Sequence, residues 1–284
     1  MSRISELFTF PVTNYKLDWE SIVQNQFCKY TQKRCFKVRK SEPSISIGTC
    51  IVKVGKDYNN IVICPHRLLQ NNQIFFDCIH LLSTHEPGNE LHIVPEVSIP
   101  GGNVDYFLVS TDSNRNIKDF VGIELQTMDT TGSVWTEREN ALYQLGINTC
   151  EPKKIKSFGI NWKMTAKTIL VQLHHKVETF QSINKHLVLV VQDCLLEYIK
   201  NEFSFSHIHY VASIGDSMHI HSYGVLTKEN SFKLFLKSRH STDSIGISKL
   251  LGLQASANLG LEELMKILQS KISDSTLLKF NECT

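Results

Sequence analysis

The spacing of apolar and polar positions divides the chain into short, distinct elements. Residues 47–54 and 60–64 read as strands, separated by turn-forming and polar residues. Ile93 with Val94, and the run 97–99, predict further strand, and a Pro-Gly-Gly turn at 100–102 leads into another over 104–109. A polar loop at 110–116 bridges to 120–128, where β-branched and apolar residues alternate with Gly122, Glu124 and Gln126. Trp162, Ala166, Ile169, Leu173, Val177 and Phe180 recur at helical spacing, with Lys163, Lys167, His174 and Glu178 on another face. Asn161 suits the N-cap of that helix. A buried strand over 187–191, a helix over 193–201, strands over 210–214, 218–226 and 231–236, and an amphipathic helix around 261–272 complete the pattern.

Strands interleaved with helices in this way predict an α/β fold built on a mixed sheet with helices on its faces. No internal repeat or low-complexity segment interrupts it. Residues 1–70 form an N-terminal region in which four cysteines lie among short strands, and 71–284 form the core. Hydrophobic residues make up 42% and charged residues 20% of the 284 positions, which excludes wholesale disorder. No apolar run approaches the ~20 residues of a spanning helix. The first residues lack the apolar stretch and cleavage site of a signal peptide. A cytoplasmic protein without a membrane partner is therefore expected, and in that compartment clustered cysteines read first as a metal site rather than as disulfides.

The net charge of +2 announces no nucleic-acid partner. The charge distribution says more. Lys29, Lys33, Arg34, Lys37, Arg39 and Lys40 fall in one stretch without an acid, and Lys153, Lys154 and Lys156 form a second cluster ahead of Lys163 and Lys167. Such patches can follow a phosphate backbone, although a solvated face is the plainer reading of each. Lys37, Arg39, Lys163 and Lys167 are the candidate DNA contacts.

Two constellations carry chemistry. Glu124 and Gln126 lie two apart on one strand, so both side chains leave the same face of the sheet, and Asp105 lies on the strand before. Asp105 and Glu124 offer hard oxygen ligands for Mg²⁺, as phosphodiester hydrolysis requires, and Glu96 could add a further carboxylate. Taken alone, an aspartate followed by Glu-x-Gln also fits polar strand positions facing solvent. The second constellation is Cys28, Cys35, Cys50 and Cys64, spaced too widely for a Cys-x-x-Cys knuckle. Four buried free thiols are the alternative, but a metal would supply folding energy to a segment with little apolar material of its own. Cys78, Cys150, Cys194 and Cys283 are scattered. The pairs His207 with His209 and His219 with His221 could face one way on strands, as a second metal site or as ordinary strand histidines. No nucleophile elbow with a paired histidine supports a serine hydrolase.

The segment VGIELQTMDTTGS at 121–133, with EVSI at 96–99 and Asp105 upstream, resembles the active-site region of the NotI family of restriction endonucleases. CKYTQKRC at 28–35, IGTC at 47–50 and IVICPHRLL at 61–69, with its Cys-Pro-x-Arg, resemble the same family's N-terminal metal-binding region. The resemblance covers 28–68 and 96–133 and is faint elsewhere. It implies the PD-(D/E)xK nuclease fold with a small N-terminal four-cysteine metal-binding module. It also implies catalytic Mg²⁺ at Asp105 and Glu124, Gln126 in the usual lysine position, Glu96 as an accessory acid, and one structural iron on the four thiolates. Ligand type does not separate iron from zinc in a tetrahedral S₄ site. The expected activity is that of a homodimeric type II restriction endonuclease cutting double-stranded DNA at a palindromic site. Another PD-(D/E)xK nuclease of repair or mobile elements, or an inactive DNA-binding protein, are the alternatives.

Overall fold

The computed structural model describes residues 2–55, 59–147, 158–228, 231–252 and 261–271. Near the N-terminus a four-stranded antiparallel sheet contains β1 (Ile4–Leu7), β2 (Phe10–Pro11), β3 (Thr49–Val54) and β4 (Asn59–Val62), in the order β2-β1-β3-β4. A seven-residue helix, α1 (Trp19–Asn25), starts on Asp18, whose carboxylate caps the Ser21 N–H at 3.1 Å.

The larger sheet has six strands: β5 (Glu90–Ile99), β6 (Gly102–Thr111), β7 (Ile117–Gln126), β8 (His186–Gln192), β9 (Met218–Lys228) and β10 (Ser231–Thr242). Strands β5, β6 and β7 form an antiparallel meander, β7-β8-β9 run parallel, and β10 returns antiparallel to β9. Helices α2 (Trp135–Gln144) and α3 (Trp162–Ser182) lie in the β7–β8 connection, and α4 (Asp193–Glu202) follows β8. Two more helices, α5 (Ser244–Leu250) and α6 (Leu261–Gln269), come last. The expected mixed sheet with flanking helices is what the chain forms.

Period-two burial divides the larger sheet between two apolar layers. Phe107, Val109, Leu187, Leu189 and Val191 pack with Ala166, Ile169, Leu173, Val177 and Phe180 of α3. Leu108, Val121, Ile123, Leu125, Val188 and Val190 face the opposite layer, with Leu68, Ile74, Phe75 and Leu81. Contact between α3 and the sheet requires Gly122. A Cβ there would stand 2.4 Å from the Phe180 ring, so any side chain would push the helix away from β7.

Several elements differ from the sequence expectation. Residues 210–214 are loop, not strand: Tyr210, Val211 and Ile214 are exposed, and only His209 bridges to Ser241. Their apolar character resembles a strand, but no neighbouring edge pairs with them. Helix α3 begins where expected, yet the Asn161 side chain makes no capping bond; the Asn161 carbonyl accepts from the Thr165 N–H at 2.9 Å instead. Strand β10 continues six residues past the expected 236, through Ser238, Arg239 and His240, because pairing to β9 compensates for its polar sequence. Lys153, Lys154 and Lys156 lie outside the described residues, as do Cys150 and Cys283. Among the described residues no helix is long and apolar enough to cross a membrane.

Candidate active site and cysteine cluster

Glu124 and Gln126 project from the end of β7 on the face that Gly122 presents to α3. Asp105 is half-buried on the adjacent strand β6, and its Oδ2 accepts the Leu125 N–H at 2.8 Å. That bond ties the Asp105 carboxylate to the strand that carries Glu124. On β5, the register on both sides of Glu96 (Val97 with Val104, Pro95 with Tyr106) sets Glu96 opposite Asp105. Glu96 itself has φ +51°, interrupts the ladder there and is exposed. A left-handed glutamate costs about 1–3 kcal/mol, and such backbone outliers concentrate at functional positions.

The structure thus brings Glu96, Asp105 and Glu124 to one end of adjacent strands. Burial raises the Asp105 carboxyl above its ordinary range against the Leu125 N–H and the Lys176 charge, and the negative charge of Glu96 adds to the rise. Glu124 is pushed up to about 7, first by burial and also by the nearby Asp105 charge, although Lys176 works in the other direction. Two crowded carboxylates that resist ionising together are the arrangement a divalent cation relieves. Glu124 Oε2 and Asp105 Oδ1 accept no hydrogen bond from the described residues, so one oxygen of each is open.

Gln126 is half-buried at the strand end, and its amide nitrogen donates to the Thr127 carbonyl at 2.6 Å. Two residues at this site escaped the sequence reading. Lys176 of α3 is buried and reaches Glu124 Oε1 at 2.6 Å. His66 is half-buried within electrostatic reach of both Asp105 and Glu96, with its pKa lowered chiefly by burial. Because His66 follows Cys64-Pro65 and meets the Phe36 ring in a tilted contact with centroids 4.3 Å apart, the cysteine region abuts the carboxylates.

Cys28, Cys50 and Cys64 are buried and Cys35 is half-buried. Cys50 lies on β3, Cys64 two residues after β4, Cys28 in the short ladder Phe27–Cys28 with Lys33–Arg34, and Cys35 immediately after that ladder. The Cys50 thiol lies 3.6 Å from the Gly48 carbonyl oxygen. Its neighbour Cys64 together with burial pushes Cys50 up, whereas Cys64 is pulled down to about 7 by Cys50 and by the backbone N–H groups of Arg67 and His66. Burial, more than the neighbouring Cys64 and Cys28 thiols, raises Cys35. The lowered Cys64 thiol gives up its proton more readily than a free cysteine, and the thiolate is the form that binds metals. As the side chains lie, no group of three or more histidines, cysteines or carboxylates stands in metal-holding geometry among the described residues. That holds for the histidine pairs too: His219 and His221 are buried on β9, whereas His207 and His209 are exposed on the loop.

Of the candidate DNA contacts, Lys163 and Lys167 are exposed at the start of α3. Lys37 and Arg39 are half-buried, and Arg39 pairs with Glu42 at 3.3 Å and lies 4.5 Å over the Trp135 ring. A cleft of about 470 Å³ lies apart from the carboxylates, between Tyr30, Asn71 and Phe232. The carboxylate cluster is the better candidate site, because it gathers three acidic side chains from adjacent strands.

No curated protein sequence matches the chain. A family model described as Restriction endonuclease NotI matches residues 28–210, well over half of the chain, and that span contains the four cysteines, Glu96, Asp105, Glu124 and Gln126. The chain therefore belongs to the NotI family of restriction endonucleases.

Proposed function

We propose that the protein is a cytoplasmic type II restriction endonuclease of the PD-(D/E)xK superfamily that hydrolyses double-stranded DNA with Mg²⁺. The convergence of Asp105 and Glu124 at the ends of adjacent strands carries this reading, each carboxylate keeping one oxygen open. Mg²⁺ characteristically takes one or two protein carboxylates and completes its octahedron with water and substrate phosphate, so a two-carboxylate site suits it. Asp105 and Glu124 would hold the ion, which would supply positive charge to the scissile phosphate and the attacking water. The exposed Glu96 would accept a hydrogen bond from that water, and Gln126 would orient it through its amide. As the water oxygen bonds to phosphorus, its proton would pass by way of Glu96 to solvent, one ester P–O bond would break and the departing oxygen would take a proton from solvent water. Two copies of the chain, one per strand, would cut a palindromic site, with Lys37, Arg39, Lys163 and Lys167 along the phosphates.

Purified protein incubated with Mg²⁺ and mixed plasmid DNA should yield discrete fragments. A smear of random lengths would point instead to a repair or mobile-element nuclease, and binding without cleavage would leave only a DNA-binding protein.

The raised Glu124 carboxyl has a pH consequence. Its ionised form is the ligand, so at limiting Mg²⁺ cleavage should rise with pH through about 7. Excess Mg²⁺ favours the ionised form and should move the midpoint to lower pH. A midpoint indifferent to Mg²⁺ concentration would show that Glu124 is not a ligand.

We further propose that Cys28, Cys35, Cys50 and Cys64 hold one structural iron or zinc. The burial of Cys28, Cys50 and Cys64 and the lowered Cys64 thiol support this, since a thiolate is the metal-binding form. Ion entry would draw Cys28 and Cys35 inward and expel the remaining protons. Elemental analysis should find about one iron or zinc per chain, and a strong chelator should lower the melting temperature. A folded, active protein without bound metal would refute the site.

A further inference from the structure

Lys176 occupies an unusual position for a lysine. It lies on the apolar stripe of α3, three residues after Leu173 and four before Phe180, and is 5% exposed. Its ammonium donates to Glu124 Oε1 at 2.6 Å and also to the Asn103 carbonyl. An ammonium has three donors, and the third finds no protein acceptor among the described residues. The surrounding backbone fixes this placement. Gly101, at φ +98°, lets the β5–β6 turn approach α3 so closely that a Cβ there would lie 2.9 Å from the His175 carbonyl oxygen. One turn further along α3, the Thr179 hydroxyl donates to the Pro100 carbonyl at 2.9 Å.

Packing alone does not call for this lysine. A buried ion pair replaced by apolar side chains of similar volume is often neutral or stabilising, and a leucine would continue the stripe of α3. Charge balance does call for a cation. Glu96, Asp105 and Glu124 bring three carboxylates to one place, whereas Gln126, on the Glu124 strand, is a neutral amide engaged with Thr127.

We propose that Lys176 is a positioning residue of the active site, the resident counter-ion that aims the Glu124 carboxylate and supplies the positive charge Gln126 lacks. The inference rests on the nuclease reading of the carboxylate cluster. With its ammonium against Oε1, Lys176 leaves Oε2 for a divalent cation and keeps a third N–H that a phosphate oxygen could accept. As a nearby positive charge it also opposes metal entry, so its influence on metal affinity and on cleavage should have opposite signs.

Mn²⁺ binding, followed by electron paramagnetic resonance at pH 8.5, and single-turnover cleavage of mixed plasmid DNA separate these effects. Lys176→Met is expected to bind Mn²⁺ about tenfold more tightly and to cleave at least about a hundredfold more slowly. Lys176→Arg keeps the charge and should hold Mn²⁺ within about threefold of the parent. Melting curves establish that both variants fold; should Lys176→Met not fold, Lys176→Gln replaces it with the same expectations. Unchanged Mn²⁺ affinity in the charge-free variant, or weaker binding together with a lower melting temperature, would overturn the proposal. Tighter Mn²⁺ binding by a variant whose parent cuts no DNA would uphold the counter-ion role and reject the nuclease reading.

Discussion

Asp105→Asn is expected to lower the single-turnover cleavage rate about a thousandfold or more while leaving the protein folded and slightly more stable at pH 8. The amide oxygen can still accept the Leu125 N–H, so the tie between β6 and β7 survives. In the proposed mechanism the lost anion is a metal ligand, and without it the scissile phosphate would lose its principal source of positive charge. Stability should move the other way for a definite reason. Burial raises the folded-state pKa of Asp105 above its unfolded value, so its charge is a cost that grows as pH rises through that folded pKa. Rate and melting temperature measured on one preparation test this. A rate loss accompanied by a falling melting temperature would assign Asp105 to the scaffold. Glu124→Gln should match the loss of rate, since it likewise removes a proposed charged ligand while keeping an acceptor for Lys176.

The second large effect lies away from the carboxylates. Arg67→Met should cost about 3–5 kcal/mol of stability near neutral pH, because the arginine is the buried partner of a buried glutamate. Arg67 is 0% exposed; Nε meets Glu6 Oε2 at 2.8 Å and one terminal nitrogen donates to the Phe232 carbonyl at 2.7 Å. Glu6 belongs to β1 and Phe232 to β10, so this guanidinium joins the two sheets. Burial outweighs Arg67 and raises the Glu6 carboxyl. Without the arginine it would rise further, and protonation would relieve the defect in acid. The destabilisation should therefore grow as pH increases, and denaturant titrations at pH 5 and pH 8 would measure the difference. A cost below about 1 kcal/mol at pH 8 would mean that the pair is a bystander.

Legibility of the sequence depended on how local each signal was. Strands β6 to β8 and helix α3 could be read because their apolar residues record burial against layers directly beside them, whereas β5 was legible from its apolar residues although Leu91, Ile93 and Val94 are exposed. The carboxylate pair could be read because Glu124 and Gln126 share a strand, and Asp105 follows a glycine turn into its neighbour. Lys176 could not be matched to Glu124, which is 52 residues earlier, although a lysine on the apolar side of α3 was itself a signal. His66 carried no local cue. Its proximity to Asp105 and Glu96 arises from the packing of the cysteine segment against the larger sheet. The loop at 210–214 misled because its exposed Tyr210, Val211 and Ile214 have the composition of a strand with no partner to pair with. In the cysteine region, residue type and family likeness identified the candidate thiols, whereas wide spacing hid the Cys50–Cys64 contact.

The central claim is hydrolysis of DNA at one specific sequence by the Asp105–Glu124 site. Sequencing the ends of every fragment from a digest of long natural DNA, with the parent protein, Asp105→Asn and Glu124→Gln in Mg²⁺, tests it most directly. The parent's ends should share one palindromic sequence, and both variants should leave the DNA uncut. Ends without a common sequence, or the same ends from either variant at the parent's rate, would contradict it.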